Sequence, residues 1–172
     1  MKTITHNFKK DFPILSTALL VAVILMGSTA NVFALNRFSV ATGNWNAIAT
    51  WSATSGGAGG ASAPIAGDSV TIEGGFNVSV GAAAACTDLT IGTATNGTLT
   101  LSTFGLTMTG NLVVKSGAGA GTYTGGTTAT LSLGGNLTVN TGATFTPPTT
   151  LTTVYTMSGA AKTIGGTIAA LT

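Results

Sequence analysis

From Asp68 onward the chain alternates in short bursts: Val70-Thr-Ile72, Leu89-Thr-Ile91, Thr98-Leu-Thr-Leu101, Leu106-Thr-Met-Thr109, Leu112-Val-Val114, Leu131-Ser-Leu133 and Leu137-Thr-Val139. A period of two with aliphatic and hydroxyl residues taking turns predicts strands that bury one face. The Leu, Ile, Val and Met positions then point inward, while Thr71, Thr90, Thr98, Thr100, Thr107, Thr109, Thr130 and Thr138 point outward. Helical periodicity is absent downstream of the N-terminal apolar segment. The fold class is all-β.

Two of these bursts sit in a near-repeat. Gly110-Asn-Leu-Val-Val-Lys-Ser-Gly-Ala118 returns as Gly135-Asn-Leu-Thr-Val-Asn-Thr-Gly-Ala143, a period of 25 residues. Recurrence on that scale is the mark of a stacked architecture in which each unit closes its core against its neighbours. An outer-membrane barrel needs strands of about 10 residues with aromatic girdles, and these bursts are shorter and poor in aromatics. A sandwich would use Gly-Asn and Asn-Gly pairs as hairpin turns, but return of the whole phrase favours a wound sheet. The expectation is a right-handed parallel β-helix, or β-solenoid, over residues 67–172.

Residues 35–66 differ in character. Trp45 and Trp51 lie in Gly43-Asn-Trp-Asn and Thr50-Trp-Ser52, ahead of the Gly/Ser/Ala-rich loop Ser55-Gly-Gly-Ala-Gly-Gly-Ala-Ser62. A solenoid has to cover its first coil, so the pair is expected to form an N-terminal cap. Paired indoles also suit stacking on sugars, which makes Trp45 and Trp51 the candidate carbohydrate contact. At the other end the chain stops at Ala-Ala-Leu-Thr172, inside what reads as a further coil. The expectation there is the leading fragment of a longer protein, or a subunit that completes its end by end-to-end stacking.

Residues 1–34 have the organisation of a signal peptide: Lys2, Lys9 and Lys10, then the apolar run Ile14–Met26, then Val32-Phe33-Ala34 before Leu35. The apolar run falls short of the ~20 residues that span a bilayer, so membrane association is expected only through an uncleaved leader. Removing the leader takes away the single histidine, His6, and leaves Arg37, Lys115 and Lys162 against Asp68, Glu73 and Asp88. That balance gives nucleic acid no cationic footprint. Cys86 is the sole cysteine, which rules out an internal disulfide despite the oxidising destination and favours a buried thiol over a reactive one.

Chemistry has few places to come from. Without histidine there is no Ser-His or Cys-His pair, nor the usual zinc set. Asp68 and Glu73 flank one strand, so about 3.3 Å per residue separates them by roughly 16 Å, too far for glycoside hydrolysis. No calcium repeat and no phosphate loop occur. No cofactor, metal or catalytic residue is expected. The outward threonines are the one extended pattern, and paired hydroxyls and methyls at regular spacing suit an ice-binding face. Such a face requires Thr-x-Thr on every coil; the pattern is full at Thr98/Thr100 and Thr107/Thr109, then lapses to Val113/Lys115 and Thr130/Ser132.

Taken together, Gly43-Asn-Trp-Asn, Thr50-Trp-Ser52, Pro64-Ile-Ala-Gly-Asp-Ser-Val-Thr-Ile72, Cys86-Thr-Asp-Leu-Thr-Ile91 and the paired Gly-Asn-Leu-x-Val phrases resemble the N-terminal β-helical region of large secreted surface proteins of Bacteroidota. The resemblance implies a secreted, cell-surface scaffold with an adhesin-like role, engaging glycans or host and neighbour-cell surfaces. Those proteins carry a C-terminal type IX sorting region, which this chain does not show. Asp68-Ser69-Val70 resembles the O-glycosylation acceptor of that phylum and singles out Ser69. A non-enzymatic structural or adhesive module is therefore the leading expectation. The alternatives are the N-terminal region of a polysaccharide-acting, pectate-lyase-like enzyme, and ice binding.

Overall fold

The computed structural model describes residues 33–147, 155–157 and 164–166. The expected leader therefore lies almost wholly, and the expected last coil largely, outside the described residues. The strands in chain order are β1 (Asn36–Ser39), β2 (Gly43–Asn44), β3 (Trp51–Ser52), β4 (Ser69–Ile72), β5 (Phe76–Val80), β6 (Ala84–Cys86), β7 (Asp88–Ile91), β8 (Gly97–Leu101), β9 (Leu106–Met108), β10 (Leu112–Val114), β11 (Gly121–Thr124), β12 (Leu131–Leu133), β13 (Leu137–Val139), β14 (Thr144–Thr146), β15 (Tyr155–Met157) and β16 (Ile164–Gly166). One 3-10 turn, Ile48–Thr50, precedes β3.

Every third strand joins the same sheet. The first sheet runs β16-β13-β10-β7-β4-β1-β3, the second β14-β11-β8-β5-β2 and the third β15-β12-β9-β6. All pairings are parallel except β1 with β3. Three parallel sheets wound this way are a β-solenoid, as the repeat predicts. The offset between coils is elastic: Ser69 pairs with Asp88, Leu89 with Leu112, Leu112 with Leu137 and Leu137 with Ile164, steps of 19, 23, 25 and 27 residues. Strand register is held constant while the corners absorb the difference.

The core follows from the alternation. Val70, Leu89, Leu112 and Leu137 stack in one inward column of the first sheet and Ile72, Ile91, Val114 and Val139 in the next. All eight are buried, each contributing about 1.5–3 kcal/mol relative to an exposed side chain. The third sheet adds Cys86, Met108 and Leu133, again in register. The sharp bend after β7 places Gly92 at φ +75°, and the equivalent bend after β10 places Lys115 at φ 64°. Only at Gly92 does the residue suit the left-handed backbone without steric cost.

The N-terminal cap is more polar than the paired tryptophans predict. β3 folds back antiparallel on β1, Phe38 against Ser52 and Ser39 against Trp51, and so covers the edge that β1 would otherwise leave open. Arg37 occupies the inward column above Val70, where an aliphatic would continue the core. Its guanidinium donates to Ser62 O and Ser62 Oγ, at 2.9 and 2.6 Å, and to Asn36 O at 3.0 Å. A cation thus ends the hydrophobic stack by tying the Gly/Ser/Ala-rich loop down onto it.

Candidate functional site

Trp45 and Trp51 do meet, edge to face, with ring centroids 5.3 Å apart and planes at 72°. They are also 1% and 0% exposed. Neither indole offers a face to solvent, so the carbohydrate contact read from the sequence is corrected: these rings belong to the cap core. The Trp51 indole N–H donates to Trp45 O at 2.6 Å, which pins the two together. Ser69, the candidate glycan acceptor, opens β4 on the outer side of the first sheet, half-buried between Asn36 and Asp88.

All three carboxylates of the described residues are engaged in joining segments of chain. Asp68 is buried beside Arg37 and receives the backbone N–H groups of Leu35 and Ile65 at 3.0 and 3.1 Å. Glu73 receives the Ser55 hydroxyl on Oε1 and the Thr93 hydroxyl on Oε2, the latter at 2.9 Å. Asp88 receives the backbone N–H of Asn111 at 2.7 Å. In turn Asn111 Oδ1 receives the N–H of Asn136 at 2.9 Å. Asp88, Asn111 and Asn136 therefore form a ladder at one corner of successive coils. No group of three His, Cys, Asp or Glu side chains converges among the described residues.

An open cleft of about 330 Å³ lies against Glu73, lined by Ser39, Ser55, Gly74, Phe76 and Thr95 among others. Its one carboxylate is already held by two hydroxyls. Cys86 is buried at the base of the third sheet, and its thiol is pushed up to about 12 by burial first and by the negative charges of Asp88 and Asp68 next. At neutral pH it is a thiol, which packs and does not attack.

The surface with the most order is the outer side of the second sheet. Thr98 and Thr100 on β8 stand beside Thr122 and Thr124 on β11. These in turn stand beside Thr144 and Thr146 on β14. Asn77 and Ser79 on β5 extend both columns by one coil. The lapse read from the sequence is thereby corrected: Thr107 lies on the third sheet and Val113 on the first, so those pairs compared consecutive strands of the chain when the relevant neighbours are strands three apart. The side chains between the threonines, Leu99, Tyr123 and Phe145, face inward, with the two aromatic rings stacked at 4.6 Å. Scans against protein-family models, curated proteins and solved structures found no match to the chain.

Proposed function

We propose that this chain is an exported, non-catalytic β-solenoid that works as an adhesin-like contact module, offering its outward hydroxyl columns to another surface. The observation that carries the reading is the double column Thr98–Thr122–Thr144 and Thr100–Thr124–Thr146. In-register threonines contribute modestly to a sheet, but six over three coils also give the outer side one uniform hydroxyl and methyl surface, half-buried at Thr98, Thr100, Thr122 and Thr124 and exposed at Thr144 and Thr146. The three carboxylates support the non-catalytic part, because each is spent on joining coils or cap segments. Export rests on the basic, apolar and small-residue order of residues 1–34. Glycans and neighbouring cell surfaces are the partners that uncharged hydroxyl columns suit, through many weak contacts acting together.

The test is fractionation of cells producing the full chain, followed by binding of the released protein to fixed cells and immobilised glycans. The expected product begins at Leu35, is found outside the cytoplasm, and binds at least one of these surfaces in a manner lost on Thr122→Lys. Retention in the cytoplasm would overturn the export reading. Breakdown of a polysaccharide by the purified chain would overturn the non-catalytic one.

A further inference from the structure

The double threonine column has a geometry that narrows what it can contact. Parallel neighbours lie about 4.8 Å apart, and alternate residues along a strand about 6.7 Å apart. Three in-register strands with Thr-x-Thr on each therefore make a grid of six hydroxyl and methyl groups with those two repeats. Thr is β-branched and stiff about χ1, and Thr122 and Thr124 are half-buried between like neighbours, so the middle of the grid is ordered before it meets anything, while Thr144 and Thr146 are exposed. Its positions carry no ionisable group.

Two features separate this grid from an ordinary polar surface. Among the described residues, none of the six hydroxyls is hydrogen-bonded to a protein group, unlike Thr50, Thr93 and Thr95, whose hydroxyls tie loops and corners. Among the described residues the face also holds no aromatic ring. Tyr123 is fully buried and Phe145 packs against the core, so contact with this face runs through hydroxyls and methyls and not through ring stacking. What remains is an uncharged, in-register array of hydroxyls and methyls. Water oxygens in ice repeat at intervals of the same order in two directions.

We propose that the outer face of the second sheet is an ice-binding face, with Thr98, Thr100, Thr122, Thr124, Thr144 and Thr146 as its contact grid. This rests on the reading of the solenoid as a contact module and names the surface it contacts. Preorganisation is the energetic basis: β-branching limits χ1 at all six positions, and the half-buried Thr98, Thr100, Thr122 and Thr124 have little further freedom to lose on binding. Thr107 on the third sheet, whose in-register neighbours are Ala85 and Ser132, belongs to no such grid.

The experiment uses the purified full-length product and ice itself as the probe. Crystal growth is followed on a cooled stage for thermal hysteresis, faceting and recrystallisation inhibition. Three single variants, Thr122→Lys, Thr122→Ser and Thr107→Lys, are compared after circular dichroism confirms that each is folded. The expected result is faceting and hysteresis in the parent, loss of most of the hysteresis in Thr122→Lys, partial loss in Thr122→Ser, and parental behaviour in Thr107→Lys. No effect of the parent on ice growth, or equal losses in Thr122→Lys and Thr107→Lys, would overturn the proposal. If ice is unaffected while Thr122→Lys still abolishes attachment to cells or glycans, the contact-module reading stands and only its assignment to ice fails; loss of both readouts in the parent sinks both.

Discussion

Arg37 Nε stands 4.0 Å from Asp68 Oδ2, and the two side chains are 5% and 1% exposed. Neither uses the other as its main hydrogen-bond partner. Arg37 is satisfied by carbonyls and a hydroxyl of the cap, Asp68 by two backbone N–H groups. Their charges nevertheless offset one another where water is excluded, and removing one strands the other. Asp68→Asn also turns an amide donor toward one of the N–H groups of Leu35 and Ile65 whichever way the amide is oriented, because the two are received by different carboxylate oxygens. The expected cost is about 3 kcal/mol or more, read as a lower urea midpoint at unchanged slope. The double variant Arg37→Met with Asp68→Asn should cost less than the sum of the singles. Additive losses would show that the charges do not interact.

The two tryptophans should respond unequally to loss of their N–H groups. The Trp51 indole donates to Trp45 O, while Trp45 Nε1 is buried without a partner among the described residues. Trp51→Phe removes a hydrogen bond and leaves a buried carbonyl; Trp45→Phe removes a buried donor that has no bond to lose. Trp51→Phe should therefore be the more destabilising by about 1 kcal/mol, with both Ala variants costing about 3–5 kcal/mol. Chemical denaturation followed by circular dichroism decides the order, and a larger loss in Trp45→Phe would contradict the hydrogen-bond assignment.

Legibility of the fold from residues alone depended on aliphatic pairs. β4, β7, β8, β9, β10, β12 and β13 each carry two inward aliphatics in sequence, or Leu with Met, and their alternation is plain. β6, β11 and β14 are Ala-Ala-Cys, Gly-Thr-Tyr-Thr and Thr-Phe-Thr. Small residues or a single inward aromatic leave too little contrast for a period to register, and glycine next to threonine resembles a loop. Because β11 and β14 were hidden, so was the threonine grid, whose neighbours are set by coil pairing and not by order in the chain. The place of Trp45 and Trp51 in the cap was legible from their position ahead of the first coil, while the choice between cap and sugar contact rested on the fold-back of β3, which closes over both rings.

The repeated Gly-Asn-Leu phrase is explained by the corner ladder. A Cβ on Gly135 would collide with the Gly110 carbonyl of the preceding coil, so the backbones approach as closely as glycine allows. The next residue then passes a side-chain oxygen to the following coil: Asp88 to Asn111, and Asn111 to Asn136. Asp88→Ala leaves the exposed Asn111 N–H to water and should cost about 0.5–1.5 kcal/mol. Asp88→Asn keeps an oxygen in place and should recover most of that. Equal losses in the two variants would assign the role to charge instead of to the hydrogen bond. Gly135→Ala should be worse than either, because the obstacle is backbone and cannot rotate away.

Cys86 gives the solenoid an alkaline limit. Burial, helped by Asp88 and Asp68, moves the thiol from 9.0 to about 12 in the folded chain. Below the lower value the proton is bound in folded and unfolded chains alike, and the thiol contributes no pH dependence. Between the two values the unfolded chain ionises while the folded chain keeps its proton, so unfolding releases a proton and stability falls as pH rises, by up to about 1.4 kcal/mol per pH unit. Cys86→Ala removes this slope and costs packing at neutral pH. The stability advantage of the parent over the variant should therefore be largest near pH 8 and shrink steadily through the window, crossing over if the slope outlasts the packing gain. Parallel curves over the whole range would mean that the thiol ionises as freely inside the third sheet as in the unfolded chain, and that the base of β6 is wet.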